Sequence, residues 1–438
     1  MSYKKGRIDV ISMGCSKNLV DSERLLRRLE AKGYTSCHDS ENPCGEWVMV
    51  NTCGFIGDAK EESINLILEL ANAKNEGKIG NIAVMGCLSE RYPGELKSEI
   101  PEVDKWYGKF NWSQFVEQLP TLSPIDTPKV WERNLTTPPW SAFLKISEGC
   151  NRFCAFCAIP LITGRHHSRP KDEILEEVKS LVSKGVVEFN VIAQDLSSYG
   201  KDLPAPQSGM SGLADLISDM ADIPGVEWIR LHYAYPADFP MDILDVIREK
   251  KNVCKYLDIA LQHISDPVLK NMRRHITKDE TLSLISTIRD RVPGIRLRTT
   301  LMTGFPGEGE QEFEELLDFV KSQRFDRMGA FAYCEEDDTW GAKNLEDSIS
   351  QEVKEARLDK LMALQEEIAL SLNEELIGKR VKVLVERHDG NDSIGRTEFD
   401  SPEVDPEVII KGASLPLGKF VEVVITEAYP FEIIGEVI

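Results

Sequence analysis

The chain has 438 residues, 42% hydrophobic and 29% charged, which reads as an ordinary soluble globular protein too long for one simple core. Its formal net charge of −21 excludes broad, nonspecific affinity for nucleic acid, because neutralising phosphates takes Lys and Arg, and it suits a basic partner protein. No apolar run approaches the ~20 residues needed to span a bilayer, and the N-terminus lacks an apolar signal core, so no membrane association is expected and the expected location is cytoplasmic. Ten cysteines in so large a chain do not resemble a disulfide framework; in a reducing compartment, patterned cysteines point to metal or catalysis.

Residues 5–122 read as an open parallel α/β domain. Three units follow one another, each an apolar strand, a Cys beside a Gly, and a helix-like segment. They are Ile8 to Cys15 leading into Asp21–Lys32, Trp47 to Gly54 leading into Ala59–Ala73, and Ile82 to Cys87 leading into Glu90–Lys97. The cysteines stand 38 and 34 residues apart, about one βαβ unit each. Cys15, Cys53 and Cys87 therefore fall at the carboxyl ends of successive strands, the edge where open α/β sheets bind ligands. A three-thiolate cluster site is expected there, against the plainer reading of three small buried hydrophobes. Cys37 and Cys44 lie in a loop-like stretch and read as incidental. Residues 123–138, rich in proline, read as a linker.

Residues 139–370 continue the alternation of strand and helix, with strands predicted at Phe143–Ile146, Val187–Ile192, Glu227–Leu231, Tyr256–Leu261, Arg296–Leu301 and Gly329–Tyr333. Six βα units suggest a partial (β/α)6 barrel of TIM type, whose site belongs at the carboxyl ends of the strands. The stretch Ser147-Glu148-Gly149-Cys150-Asn151-Arg152-Phe153-Cys154-Ala155-Phe156-Cys157 follows the first strand. Its C-x3-C-x2-C spacing lets three thiolates of one loop converge on one inorganic centre. A structural zinc site closes with four ligands and ferredoxin clusters use four thiolates, so three suggest a cubane with one iron left open. The loop resembles the cluster-binding motif of the radical S-adenosylmethionine (SAM) enzymes. That resemblance implies a [4Fe-4S] cluster on Cys150, Cys154 and Cys157, with the open iron chelating SAM, and a six-unit open barrel.

Other strand-end residues then gain a meaning. Gly304-Phe305-Pro306-Gly307-Glu308 resembles a family loop lining the SAM pocket, and Gln262 follows the fourth strand. Gln262, Gly304, Gly307 and Glu308 are thus candidate SAM-pocket residues. Gln194, Asp195, His232 and Tyr233 are candidates for a substrate rim. His166 and His167 read as exposed, and Cys254 and Cys334 as structural thiols. A Glu/Lys/Leu-rich segment, Glu352 to Leu376, reads as an amphipathic helix leading out of the barrel.

Residues 373–438 change to short alternating strands, a pattern for a small OB-like β-barrel, and resemble the TRAM domain. They carry 14 Asp or Glu against 7 Lys or Arg, a net of −7. A groove for single-stranded RNA would be basic with stacking aromatics, so the acidic runs Glu398–Asp400 and Glu403–Glu407 suit a basic protein better.

Two three-cysteine sites with a TRAM-like tail resemble the methylthiotransferases, a subgroup of radical SAM enzymes. Gly14-Cys15-Ser16-Lys17-Asn18-Leu19-Val20-Asp21-Ser22-Glu23, Asn51-Thr52-Cys53-Gly54, Ala193-Gln194-Asp195 and Arg230-Leu231-His232-Tyr233 are similar to the RimO-type branch, which modifies an aspartate of ribosomal protein S12. The MiaB-type branch, which modifies a tRNA adenosine, usually carries Gln-Met-Asn in place of Ser16-Lys17-Asn18. The resemblance implies two [4Fe-4S] clusters and two uses of SAM. One SAM is cleaved to a radical that takes hydrogen from the aspartate β-carbon. The other methylates sulfur held at the Cys15/Cys53/Cys87 cluster. An electron donor and a sulfur donor are implied as partners. Two further readings are a non-catalytic iron–sulfur carrier and a zinc-binding RNA module.

Overall fold

A computed structural model describes residues 3–123 and 127–438; three residues of the predicted linker, 124–126, lie outside the described residues. The N-terminal sheet is parallel in the order β2-β1-β3-β4-β5, with β1 Lys4–Ser12, β2 Thr35–His38, β3 Gly45–Thr52, β4 Asn81–Gly86 and β5 Lys105–Trp106. The middles of the three central strands are apolar and packed between helices on both faces, as a parallel sheet requires, whereas the start of β1 is charged and exposed. Two edge strands escaped the sequence. β2 holds Cys37, which therefore sits in a strand rather than in the loop expected for it. β5 is two residues long, too short for a pattern to register.

A second parallel sheet has the order β13-β12-β11-β10-β9-β6, built from β6 Ser141–Lys145, β9 Glu188–Ile192, β10 Trp228–Ala234, β11 Val253–Gln262, β12 Arg296–Thr303 and β13 Arg327–Ala332. Between β6 and β9 lies a small antiparallel pair, β7 Ser147–Glu148 with β8 His167–Ser168. Strand number rises steadily from edge to edge, the order of an open six-unit barrel. Side chains alternate faces along a strand. Phe189, Val191, Ile229, Leu231, Leu257, Ile259 and Leu297 join the main apolar core under the helices. Glu188, Asn190, Arg230, His232 and Asp258 are also buried, but they point to the other, polar face.

The last 59 residues include a closed five-stranded barrel, β14-β15-β16-β18-β17, formed by β14 Arg380–Asp389, β15 Asp392–Thr397, β16 Glu407–Ile410, β17 Phe420–Ala428 and β18 Glu432–Val437. It sits at the amino ends of the large sheet's strands. Leu384 and Phe420 pack with Trp228, Cys254, Tyr256 and Trp140, and Arg396 pairs with Glu188 at the first residue of β9. The acidic runs expected to face a partner are partly turned inward. Asp400 is bound by Arg327, and Asp405 by Arg298 and the Tyr256 hydroxyl. The outward carboxylates of this barrel include Glu403, Glu422, Glu427, Glu432 and Glu436.

The described part of the linker is not loose. Arg133 is 2% exposed and joins Glu23 of the N-terminal domain to Glu177 of the barrel, with Nη2 donating to the Phe143 carbonyl at 2.6 Å. A chain so anchored at mid-linker holds the first domain against β6. Leu19 and Val20 of helix α1, Ser16–Ala31, pack there on Phe143 and Ile192.

Candidate active site

Cys15, Cys53 and Cys87 emerge from β1, β3 and β4, neighbours in the sheet, so the topology brings together residues distant in sequence. Glycines let the strand ends close up. Gly14 has φ +86, and a Cβ there would stand 2.7 Å from Cys53 Cβ; one on Gly54 would stand 2.6 Å from the Leu88 backbone beside Cys87. Cys15 forms the N-cap of α1, and Cys87 opens the short helix Cys87–Arg91.

The thiols differ. Protein packed around the Cys15 sulfur would raise it, although the residue keeps surface exposure. The Lys17 ammonium, the amides starting α1 and Lys109 outweigh that and hold it below its ordinary value. Burial pushes Cys53 up and Cys87 up to about 12.

The second triad lies in the loop after β6. Gly149 has φ +75, and a Cβ there would collide with the Arg165 carbonyl oxygen at 2.1 Å. Phe153 also takes a left-handed conformation, φ +50. The Cys157 N–H donates to the Cys154 carbonyl at 3.1 Å, and the Ala155 N–H to Met272 at 2.9 Å, which ties the loop to the far side of the barrel. Burial pushes Cys150 up to about 12 and raises Cys157 further. Metal binding ionises such thiols, so a high thiol value is the proton that a cluster displaces.

Cations surround this loop. Arg152 and Arg274 sandwich the Tyr235 ring at 4.2 and 4.1 Å from its centroid. Arg274 Nη1 lies 3.3 Å and the Tyr235 hydroxyl 3.8 Å from Cys154 Sγ. The local sequence carried no sign of Arg274, which is 120 residues from the cysteine it touches. Among the described residues, no group of three His, Cys, Asp or Glu is gathered tightly enough to hold one metal ion. Thiolates on a cubane bind different irons and stand farther apart than those sharing one ion.

From Cys87 a buried chain of charges runs to Glu148 at the start of the second triad's loop. The Cys87 thiol lies 3.5 Å from Asn18 Oδ1; Lys109 Nζ donates to Asn18 at 3.4 Å and to Asp21 at 3.0 Å. Asp21 also pairs with Lys145 at the end of β6; Lys145 pairs with Glu148, and Glu148 accepts from Gln194 Nε2 at 2.7 Å. Burial would neutralise Asp21 and Lys109, but each holds the other charged: the lysines keep Asp21 below the ordinary carboxylate range, and Asp21 with Glu148 keeps Lys109 above the ordinary amine range. The links from Lys109 and Lys145 to Asp21 carried no sequence signal, since they span 88 and 124 residues.

The remaining predicted residues divide. Gln194 Oε1, Asp195 Oδ1 and Gln262 Oε1 are buried at strand ends without a hydrogen-bond partner, and Arg152 Nη2 likewise. The other Asp195 oxygen accepts from Arg152 at 2.7 Å and Ser198 at 2.6 Å. Gln262 has φ +71, strain of the kind stored at functional sites. Glu308 is instead engaged internally by the Gly304 N–H, His263 and Arg357. The φ of Gly304 is +72 and a Cβ there would meet Lys354; one on Gly307 would meet Asn271. At both glycines a side chain would collide with the chain's own packing. His232 lies inside the barrel rather than at its rim. It is 5% exposed, bonded to Asn190 at 3.3 Å, and kept neutral by burial and Arg230. Tyr233, 38% exposed, is at the rim. His166 is buried against Ser168, contrary to expectation, whereas His167 is exposed. Cys254 is buried and Cys334 exposed.

Residues 144–320 match the model of the radical SAM superfamily, 7–108 that of the uncharacterized protein family UPF0004, and 377–438 that of the TRAM domain. A curated protein of Phocaeicola vulgatus, named ribosomal protein uS12 methylthiotransferase RimO, is 59% identical over 437 residues, 99% of this chain and 100% of the relative. The chain belongs to the RimO family. RimO proteins of Bacteroides fragilis and Porphyromonas gingivalis are 58% and 55% identical, each over 99% of this chain and 100% of their own. Beyond RimO, the fold is shared with TsrM of Kitasatospora setae, a radical SAM methyltransferase solved with cobalamin and a [4Fe-4S] cluster. That likeness is 14% identical at a TM-score of 0.55, covering 75% of each chain. Among the described residues of this RimO-family chain, no helix is long and apolar enough to cross a membrane.

Proposed function

We propose that this chain is a cytoplasmic methylthiotransferase that adds a methylthio group to the β-carbon of an aspartate in ribosomal protein uS12. In this reading Cys150, Cys154 and Cys157 hold the cluster that engages SAM, and Cys15, Cys53 and Cys87 hold a second. The observation that carries it is the pairing of two cysteine triads, each at the strand ends of its own parallel sheet, with a buried chain of charges running from Cys87 to Glu148, two residues before Cys150. Full-length likeness to RimO proteins supports the substrate.

The residues fit the absent groups. Each triad offers three thiols, and the mouth offers three orphaned acceptors, Gln194 Oε1, Asp195 Oδ1 and Gln262 Oε1, for a ligand with amine and hydroxyl donors such as SAM. When bound, the clusters and SAM supply the one-electron and sulfur chemistry needed to functionalise an unactivated C–H bond, which no side chain can do at neutral pH. Arg274 would offset negative charge at Cys154, and Arg152, whose backbone N–H donates to Cys150 Sγ at 3.4 Å, would do so at Cys150. Lys109 does the same beside Cys87 and Cys15. Lys60 and Arg91 of the first domain bind Glu336 beyond β13 at 2.9 and 2.7 Å, which fastens that domain to the carboxyl-end side of the barrel. An electron donor and a sulfur donor complete the reaction. The outward carboxylates of the TRAM barrel attract a basic protein at long range.

Mass spectrometry of uS12 from a deletion strain tests the reading: the methylthio group should be missing and should return with the gene. An unchanged uS12 mass with loss of methylthio-adenosine from tRNA would overturn it in favour of the tRNA branch. Cluster number is tested separately. Iron and sulfide per chain should fall by about half in Cys53→Ala and again by half of the original in the Cys53→Ala/Cys157→Ala protein.

A further inference from the structure

Lys17 lies two residues beyond Cys15 in the first turn of α1 and reaches across to the barrel. Its Nζ stands 3.5 Å above the centroid of the Tyr233 ring. Lys17 is half-buried and, among the described residues, has no carboxylate partner. In a chain with 73 acidic and 52 basic residues, an unpaired cation at a covered interface needs a reason. Its charge reaches the Cys15 thiol and the buried Asp258 carboxylate, with no ion pair to either among the described residues, and the carboxylates of the buried chain are engaged elsewhere. Asp21 has Lys109 and Lys145, Glu148 has Lys145 and Gln194, and Asp195 has Arg152. Asp258, beneath Tyr233, accepts the Tyr233 N–H at 3.2 Å and faces Arg298 at 3.7 Å.

The ring that carries the ammonium is itself held under strain. Tyr233 adopts φ +65, a left-handed conformation that costs a non-glycine residue about 1 kcal/mol or more and persists where the surroundings enforce it. A cation–π contact positions an ammonium without neutralising it, and leaves its N–H donors free for an anion. The position is between the two triads. Cys15 is two residues before Lys17, and Tyr235, which touches Cys154 Sγ, is two residues beyond Tyr233.

An aspartate modified at its β-carbon presents a carboxylate one bond from the reacting atom. Gripping that carboxylate places the β-carbon. We infer that Lys17, mounted on Tyr233, is the substrate-binding residue that takes the carboxylate of the target aspartate. The inference rests on the functional reading above and names the anchor within it.

A double-mutant cycle on the full, cluster-loaded protein tests this. uS12 binding and KM are measured for wild type and Lys17→Met, each with natural uS12 and with uS12 whose target aspartate is changed to asparagine. Either change alone should weaken uS12 by at least about 10-fold, the worth of a hydrogen bond to a charged group, and the two together by no more than the larger. Lys17→Arg should keep most of the affinity. Additive penalties would overturn the inference by assigning Lys17 to another ligand, and loss of iron from Lys17→Met would do so by assigning it to the cluster. Wild-type protein that binds asparagine uS12 as tightly as natural uS12 would overturn it without any change to the enzyme. If wild type leaves natural uS12 unmodified, the functional reading itself fails.

Discussion

The carboxylate of Asp400 lies 2.7 Å from Arg327 Nη2, with the carboxylate 2% and the guanidinium 10% exposed. The pair fastens the C-terminal barrel to the amino end of β13, opposite the strand ends that carry the cysteines. Asp400→Ala would strip buried Arg327 of its hydrogen-bonded carboxylate and leave it the weaker fields of Asp405 and Asp326, so the loss should fall below the about 3–5 kcal/mol of an uncompensated buried charge. Chemical denaturation should show that loss, and limited proteolysis should cut sooner between helix Gln351–Glu374 and β14. Unaltered stability would mean the pair is not closed in solution.

Acid should attack the same junction. Burial would raise Glu188, but Arg396 and Arg230 outweigh it and hold its carboxyl at about 2, against an ordinary 4.5. A carboxyl lowered by folding stabilises the fold above its unfolded value, and that stability is lost as pH falls from about 4.5 to 2. The contribution is about 3 kcal/mol. Glu188→Gln should therefore be less stable than wild type near neutrality, with the gap narrowing toward pH 2 in denaturant titrations. A gap independent of pH would refute the assignment.

Gly149→Ala tests the second triad's loop. With φ +75 and the Arg165 carbonyl 2.1 Å from the new Cβ, the loop must move. The left-handed φ alone costs about 1–3 kcal/mol, the backbone clash adds to it, and the strain falls on Cys150. Iron should drop by about half while thermal unfolding shifts only a few degrees.

Arg274 Nη1 is close enough to Cys154 Sγ, 3.3 Å, to tune whatever the thiolate binds. Donors to cluster sulfur raise reduction potential, so Arg274→Gln should make the cluster harder to reduce, on the order of 50 mV for one hydrogen bond. Redox titration followed by electron paramagnetic resonance in a Cys53→Ala background would read it. A potential equal to that of the background protein would show that Arg274 only packs Tyr235.

Strand periodicity and the placing of Cys15, Cys53, Cys87, Cys150, Cys154 and Cys157 at strand ends were legible in the chain, because both depend on short-range spacing. Side-chain alternation has a period of two residues, and a βαβ unit returns each cysteine to the same sheet edge. Nothing local told that Arg133 joins Glu23 to Glu177, that Lys109 finds Asp21, or that Asp400 and Asp405 turn inward. The energy of a buried charge is set by partners that only the packed domains bring near, so the same acidic run reads as a partner's surface in sequence and as a clasp in the fold. Lys17 shows the division most simply: the sequence placed it beside Cys15, and the tertiary structure decided that it faces Tyr233 across the mouth with no ion pair among the described residues.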